Sequence, residues 1–295
     1  MRRFALAGTL VLTCPLWQGC IATLDSQSEI VREERRFSVK GTPSVRVATF
    51  DGNIQIQSWD KPDIVVEIEK RGPTRESVNE LEIKSSQDGD TIDVEVLRPH
   101  KPFHVVGMRS SPKARLIVWL PARSDVKARS GDGAIDVLHV NGRIDLHTGD
   151  GSIRATDTTG ELSFTTGDGA VTADEVRGQL IVDTGDGSVN VSGSLSSLRL
   201  HTGDGSIVYR ALSDTEMTED WEITTGDGAV LIYLPKDFGA DLDAHTGDGT
   251  IQNDLSLTAG QAGEISRRTV RGRLGEGGRR LRIRTGDGGI RLRTL

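Results

Sequence analysis

The chain has almost no cysteine: of 295 residues only Cys14 and Cys20 carry a thiol, and both fall within the first 20 positions. Beyond them no disulfide and no thiolate chemistry is available, so the remainder must be held by packing and hydrogen bonding alone. Aromatic residues are 4% of the sequence, too few for the paired aromatic girdles of an outer-membrane barrel. Outward strand positions such as Asp145, Arg154, Ser163 and Thr172 are polar, where such a barrel needs an apolar band facing lipid. After residue 20 no apolar run is long enough to cross a bilayer as a helix. The modest hydrophobic content, 35%, suits a thin, turn-rich core.

What is plentiful is glycine, 35 residues, and it is organised. The phrase Thr148-Gly149-Asp150-Gly151-Ser152-Ile153 recurs with its first residue at Ser130, Thr148, Thr166, Thr184, Thr202, Thr225, Thr246 and Thr285. The first four steps, by subtraction, are each 18 residues. So short a fixed period marks a stacked repeat. Within it the Asp-Gly pair predicts a turn, with Gly supplying φ > 0 and the Asp side chain bonding nearby backbone. Ile or Val then recurs at 135, 153, 171, 189, 207, 230, 251 and 290, often with a second apolar residue two places on, as at Val137 and Val191. That is strand alternation with one face buried. A second bend is expected at Asn141-Gly142, Thr159-Gly160 and Arg177-Gly178, followed by strands that carry Ile144/Leu146, Leu162/Phe164 and Leu180/Val182 inward.

Two short strands bury too little apolar surface alone, so each period must lean on the next. The expected fold is all-β, a single-stranded β-solenoid with roughly 18-residue coils; an antiparallel β-sandwich is the alternative. A propeller is excluded because its blades need roughly 40 residues. Residues 37–125 read as degenerate coils, with Thr49-Phe50-Asp51-Gly52-Asn53-Ile54 as a worn phrase and Asp88-Gly89-Asp90 as a further worn turn. Residues 126–295 read as regular coils ending in a basic C-terminal cap, with one repeat around 262–273 that has lost its phrase.

The beginning differs in kind. Arg2 and Arg3 precede an apolar run from Phe4 to Trp17, the layout of an export signal. Leu16-Trp17-Gln18-Gly19-Cys20 resembles a bacterial lipoprotein signal, which would make Cys20 the lipidated first residue, although Trp17 stands where Leu is usual. Residues 1–20 are therefore expected as signal and the polar stretch 21–36 as a tether. The expected location is the cell envelope, lipid-anchored on a periplasmic or outer-membrane face or at the cell surface.

The repeated phrase, the Leu234-Pro235 bend before Thr246 and the Gly-rich run into Thr285-Gly286-Asp287-Gly288-Gly289-Ile290 resemble the bacterial putative-adhesin β-solenoid family. The resemblance spans about residues 40–295 and implies an exported protein; it brings no catalytic residues with it.

The repeated Asp at 132, 150, 168, 186, 204, 227, 248 and 287 is the obvious chemical candidate. Coils stack about 4.8 Å apart, where two carboxylates repel by roughly 0.9 kcal/mol in bulk water. Such a column either points to water, bonded to its own turns, or binds hard cations such as Ca²⁺; its pattern is not that of the calcium-binding repeat G-G-x-G-x-D, and no metal ligand and no cofactor is assigned. His147, His201 and His245 each precede a phrase. The first two stand three periods apart, about 14 Å at that rise, too far to share a metal. The Thr column is read as ladder hydrogen bonding in preference to an ice-binding surface.

Charge is unevenly spread. Ser130 to Leu255 holds 23 acids against 6 Lys/Arg, whereas Glu264 to Leu295 holds 10 Arg against 3 acids. Arg280, Arg282 and Arg284 alternate onto one face, with Arg291 and Arg293 nearby. They either block edge-to-edge polymerisation or are candidate contacts for an anionic partner: lipid headgroups, cell-wall polymer or another envelope protein. No nucleic-acid partner is expected. The function expected is non-catalytic, an adhesin-like or scaffold surface displayed from the anchor. The alternatives are an envelope-stress signalling accessory protein and a carbohydrate-active solenoid enzyme, the latter disfavoured because the acids are spread one per turn instead of paired across a bond.

Overall fold

In the computed structural model, residues 28–98, 111–258 and 264–295 are described. One hydrogen-bonded network of 24 strands winds as a β-solenoid, and each regular coil contributes one strand to each of two walls. The first wall holds the strands that run into the phrase, among them Asp125–Ser130, Asn141–Thr148 and Thr159–Thr166, paired in parallel. The second holds the strands that leave it, Ile135–Leu138, Ile153–Thr156 and the start of Val171–Thr184, again parallel. Register follows the 18-residue period, so Ile144 pairs with Leu162 and Leu162 with Leu180. Like residues therefore stack into columns. Ile54, Ile135, Ile153, Val171, Val189, Ile207, Val230 and Ile290 form one of them, wholly inside.

Both walls bury alternate residues into one continuous core. The largest side chains of the interior are Trp221, Tyr209 and Phe164, all buried. Tyr209 meets Trp221 edge-on at 5.4 Å between ring centroids, and its hydroxyl donates to the Gly193 carbonyl at 3.2 Å. Burial pushes the phenol pKa up, so the hydroxyl stays protonated there.

The ends depart from the expected reading. On the N-terminal side two coils continue the stack: Ser44–Thr49 beside Asp125–Ser130 with Ile54–Trp59 beside Ile135–Leu138, and beyond them Thr91–Leu97 in parallel on Ser44–Thr49 with Lys113–Pro121 in parallel on Ile54–Trp59. The strands outside these pair antiparallel. Asp63–Gly72 runs against Lys113–Pro121, and Glu82–Asp88 forms a hairpin with Thr91–Leu97 across left-handed Gly89. Part of the expected tether, Glu29–Ser38, is a strand set antiparallel on Asp63–Gly72. Its charges hold it there: Arg32 binds Glu69 at 2.9 Å, and the buried ammonium of Lys70 meets Glu33 at 2.7 Å and the Leu81 carbonyl at 3.0 Å.

At the other end sequence order and spatial order separate. Arg280–Thr285 pairs in parallel with Trp221–Thr225 on one side and Ala240–Thr246 on the other. The coil of Thr285 thus lies between those of Thr225 and Thr246, and the arginine-rich segment is not the terminal cap. The segment expected to be a worn repeat is instead an antiparallel edge, Thr269–Leu274 against Ala240–Thr246. The second bend begins earlier than expected, on left-handed His139, Asp157 and Glu175, and includes the expected Gly142, Gly160 and Gly178, which also have positive φ.

The phrase glycines from Gly131 onward are not left-handed. They are needed for another reason: a Cβ on Gly151, Gly169, Gly187, Gly205 or Gly228 would stand 1.9–2.2 Å from the carbonyl oxygen of the matching glycine one coil earlier. Since that obstacle is backbone, Gly169→Ala should already lower stability by about 1–3 kcal/mol, and Gly169→Val by more. Urea midpoints equal to wild type would show that the corner has room.

A second expected outcome concerns Glu33, whose pKa is lowered chiefly by its hydrogen bond to Lys70, against the opposing effect of burial. A depressed carboxylate pKa means that its stabilisation is fully present above the unfolded value, near 4.5, and is lost as pH falls through the lower folded one. Glu33→Gln should destabilise by about 1–3 kcal/mol at neutral pH, leaving the Lys70 ammonium without its charged acceptor. That difference should shrink in acid; a gap that persists unchanged to low pH would mean the pair does not hold the strand.

Candidate functional site

The corner is built from three residue types with separate tasks. The Thr or Ser hydroxyl is buried and donates to the second-glycine carbonyl of the preceding coil: Ser130 to Gly52 at 2.8 Å, Thr166 to Gly151 at 2.8 Å, Thr202 to Gly187 at 2.9 Å and Thr246 to Gly288 at 2.8 Å. In several coils the same oxygen accepts from the second glycine of its own phrase, as from Gly133 at 3.0 Å and Gly249 at 2.9 Å. A buried hydroxyl with both roles filled carries no desolvation penalty. The Thr column is therefore an internal clamp, as ladder bonding required, and no surface for ice.

Asp, set between the two glycines, is thrown outward. The carboxylates stack in the order Asp51, Asp132, Asp150, Asp168, Asp186, Asp204, Asp227, Asp287, Asp248, following the pairing of their strands. Among the described residues only the ends are neutralised, by Lys113 at 3.5 Å from Asp51 and Arg268 at 3.1 Å from Asp248. Among the described residues those between have no hydrogen-bond partner, so the expected bond to each carboxylate's own turn does not form. Nor, among those residues, do three or more His, Cys, Asp or Glu side chains gather as a metal site.

His147, His201 and His245 share one exposed column on the first wall, spaced by Thr165, Asp183, Thr224 and Arg284. The structure therefore keeps them apart; His245 shares a hydrogen bond with the Thr269 hydroxyl, at 3.0 Å. The five arginines are also divided. Arg280, Arg282 and Arg284 face outward on the first wall, whereas Arg291 and Arg293 lie on the second. Arg284 is committed to Asp243 at 2.5 Å and Arg293 to Asp254. Arg282 lies in register between Glu222 and Asp243, its Nε buried without a partner. Burial pushes the Asp243 carboxyl up, yet hydrogen bonds from Arg284 and Arg271 bring it below the usual carboxylate range. The arginine-rich coil is thus bound to the acidic coils around it, with Arg280 and Arg291 the freer side chains. Cys20 lies outside the described residues.

One feature escaped sequence reasoning. Trp59 and Trp119 come together on the outward side of the second wall, their ring centroids 6.4 Å apart. The signal was present in Gln55-Ile56-Gln57-Ser58-Trp59 and Ile117-Val118-Trp119, where large apolar residues occupy the outward parity of strands otherwise polar on that side.

The family model described as Toastrack DUF4097 matches residues 44–293. No curated protein matches the chain. Among solved structures, a putative lipid binding protein from Parabacteroides distasonis is 12% identical, with 88% of this chain and 96% of that one covered and a TM-score of 0.50. A putative adhesin from Bacteroides fragilis is 12% identical over 89% and 97%, with a TM-score of 0.36. A putative cell adhesion protein from Clostridium sporogenes is 13% identical over 90% and 100%, with a TM-score of 0.30. At such identities the likeness is one of fold.

The Asp column leads to a direct test. Unpaired stacked carboxylates should be relieved by any salt through screening, so monovalent salt and millimolar Ca²⁺ at matched ionic strength should raise the melting temperature alike. A large, saturable rise specific to Ca²⁺ and reversed by chelator would show linked binding instead.

Proposed function

Because the chain belongs to the Toastrack DUF4097 family, we propose that it is a non-catalytic interaction scaffold of the cell envelope, adhesin-like in mode and displayed from a lipid anchor at Cys20. One observation carries this reading. The chemically active side chains are laid out along the stack, the Asp at the corner and the His and Arg on the walls, and these columns do not converge on a common point. Acid–base or nucleophilic catalysis needs groups gathered within hydrogen-bond reach of one reacting atom. A flat, rigid wall with repeating functional groups instead favours contact with an extended partner, because little ordering accompanies binding. The repeated T-G-D-G phrase serves this design by making the wall stiff from inside while leaving the outside free to vary. The export-signal layout of residues 1–20 supports display in the envelope.

The test uses the full chain in a bacterium that processes lipoproteins. Wild type should partition with detergent-extractable membranes and yield a lipid-modified N-terminal peptide starting at Cys20. Cys20→Ser should move it to the soluble fraction or leave residues 1–20 attached. Equal membrane partition of the two, with the N-terminus elsewhere, would sink the anchor, and turnover of any envelope polysaccharide by the purified protein would sink the non-catalytic reading.

A further inference from the structure

On the outward side of the second wall, register places Ile117, Gln55, Asp136 and Arg154 in one row across four strands. Trp119, Gln57, Leu138 and Thr156 form the row beside it. Together they line a trough of about 530 Å³. Three strand spacings give it a length of about 14 Å.

Among the described residues most polar groups of the trough are left without partners. Several opposite charges in register elsewhere close into ion pairs: Lys127 with Asp145 at 2.7 Å, Arg143 with Glu161 at 2.8 Å, Arg46 with Asp93 at 2.8 Å. Asp136 and Arg154 are in register too, yet among the described residues neither makes an ion pair or a side-chain hydrogen bond. The Trp119 indole N–H, the Gln57 amide and the Thr156 hydroxyl are likewise uncommitted. Gln55 uses only its oxygen, accepting from Arg115 at 2.6 Å. Donors and acceptors therefore stand ready around an indole ring that is only half-buried.

That ring is also held in place. Trp59 buttresses it, and Trp59 is itself fixed, donating its indole N–H to the Asp63 carbonyl at 2.8 Å with the Lys61 ammonium 4.8 Å from its ring centroid. A rigid indole offers apolar area and an N–H donor at little entropic cost.

We infer that this trough binds an uncharged polysaccharide chain, one sugar ring stacked on Trp119 and its hydroxyls bonded by Gln57, Asp136 and Arg154. A pyranose has an apolar C–H face and a rim of hydroxyls that both donate and accept, which matches an aromatic platform edged by an amide, a carboxylate and a guanidinium. A membrane surface fits less well: it calls for a continuous apolar face with a cationic rim, and Asp136 stands within the trough. The inference rests on the interaction-scaffold reading and names its ligand class.

The experiment titrates the full chain in detergent with tetrasaccharides of β-linked glucose, β-linked N-acetylglucosamine and mannose, by calorimetry. Binding of at least one in the millimolar range is expected, weakened tenfold or more by Trp119→Ala and several-fold by Asp136→Asn, with Ile181→Ala on the other wall without effect. Gln57→Ala, which removes no large apolar contact, reads the same site if Trp119→Ala unfolds. No binding of any of the three, or binding indifferent to these variants, overturns the inference. So does Trp119-dependent binding to zwitterionic lipid vesicles or Trp119-dependent self-association in the absence of sugar. The scaffold reading fails separately: envelope partition lost with sugar binding intact sinks display, and partition intact with sugar binding absent sinks the trough alone.

Discussion

The structure depends on a place where two backbones meet with nothing between them. At the corner of each coil a glycine carbonyl of one turn faces the matching glycine of the next so closely that a methyl group would stand about 2 Å from the oxygen. Coils can stack at strand spacing on both walls only if the corner joining those walls stacks at that spacing too. The threonine hydroxyl then closes the corner from inside, bridging the coils it sits between. With a small residue required on either side and a buried hydroxyl before it, the aspartate is left free to face water, as is the residue after the second glycine, exposed at Ser152, Ala170 and Ser188. The phrase is thus dictated residue by residue by crowding, and chemistry at its outer tip is a by-product.

Much of this was legible in the sequence because a constraint repeated at a fixed interval is read many times over. The 18-residue step, the inward Ile and Val columns and the two strands per coil could each be checked against the next copy, and the structure shows all of them. What sequence could not give was the reason for the glycines: a residue needed for positive φ and one needed for close approach look alike, and here crowding alone applies at Gly169 while the positive-φ positions of the coil fall at its second bend, on His139, Asp157 and Glu175 and on Gly142, Gly160 and Gly178. Nor could periodicity speak where it lapses. Glu29–Ser38 has charges on both faces and looks like solvated linker, yet its order comes from Glu33 reaching a buried lysine in a distant strand. The arginines of residues 280–293 looked like a terminal patch because spatial order was taken from chain order. The tryptophan trough was missed because it draws two outward residues from each of four strands, and its aromatic signal is split between Trp59 and Trp119, sixty positions apart in the chain.

The outward surface follows a rule of its own. Because register is parallel, each residue has two neighbours in its column, and a charge tends to find its opposite one coil away, as Arg143 finds Glu161 and Arg199 finds Glu222 at 3.7 Å. Such exposed pairs add little stability singly, but they make the wall locally neutral, so that positions where pairing is refused stand out. Asp136 and Arg154 are one such place, next to the half-buried indole of Trp119; Arg282, in register between Glu222 and Asp243, is another.

The interleaving of the coils of Thr225, Thr285 and Thr246 imposes a timetable on the nascent chain. The coil of Thr246 takes its parallel partners from residues 280–292, so it has no seat until a segment some forty positions downstream has been made. At about 5–20 residues per second, that is a wait of a few seconds during which Trp221–Thr225 offers an open edge and Ala240–Thr246 an unpaired strand. A stack that from the coil of Ser130 to that of Thr225 adds turns one by one as they emerge must at this point pause, hold a place open and complete itself by insertion. The vulnerable moment in the life of this molecule therefore comes late in synthesis or threading, after the regular stack is already built.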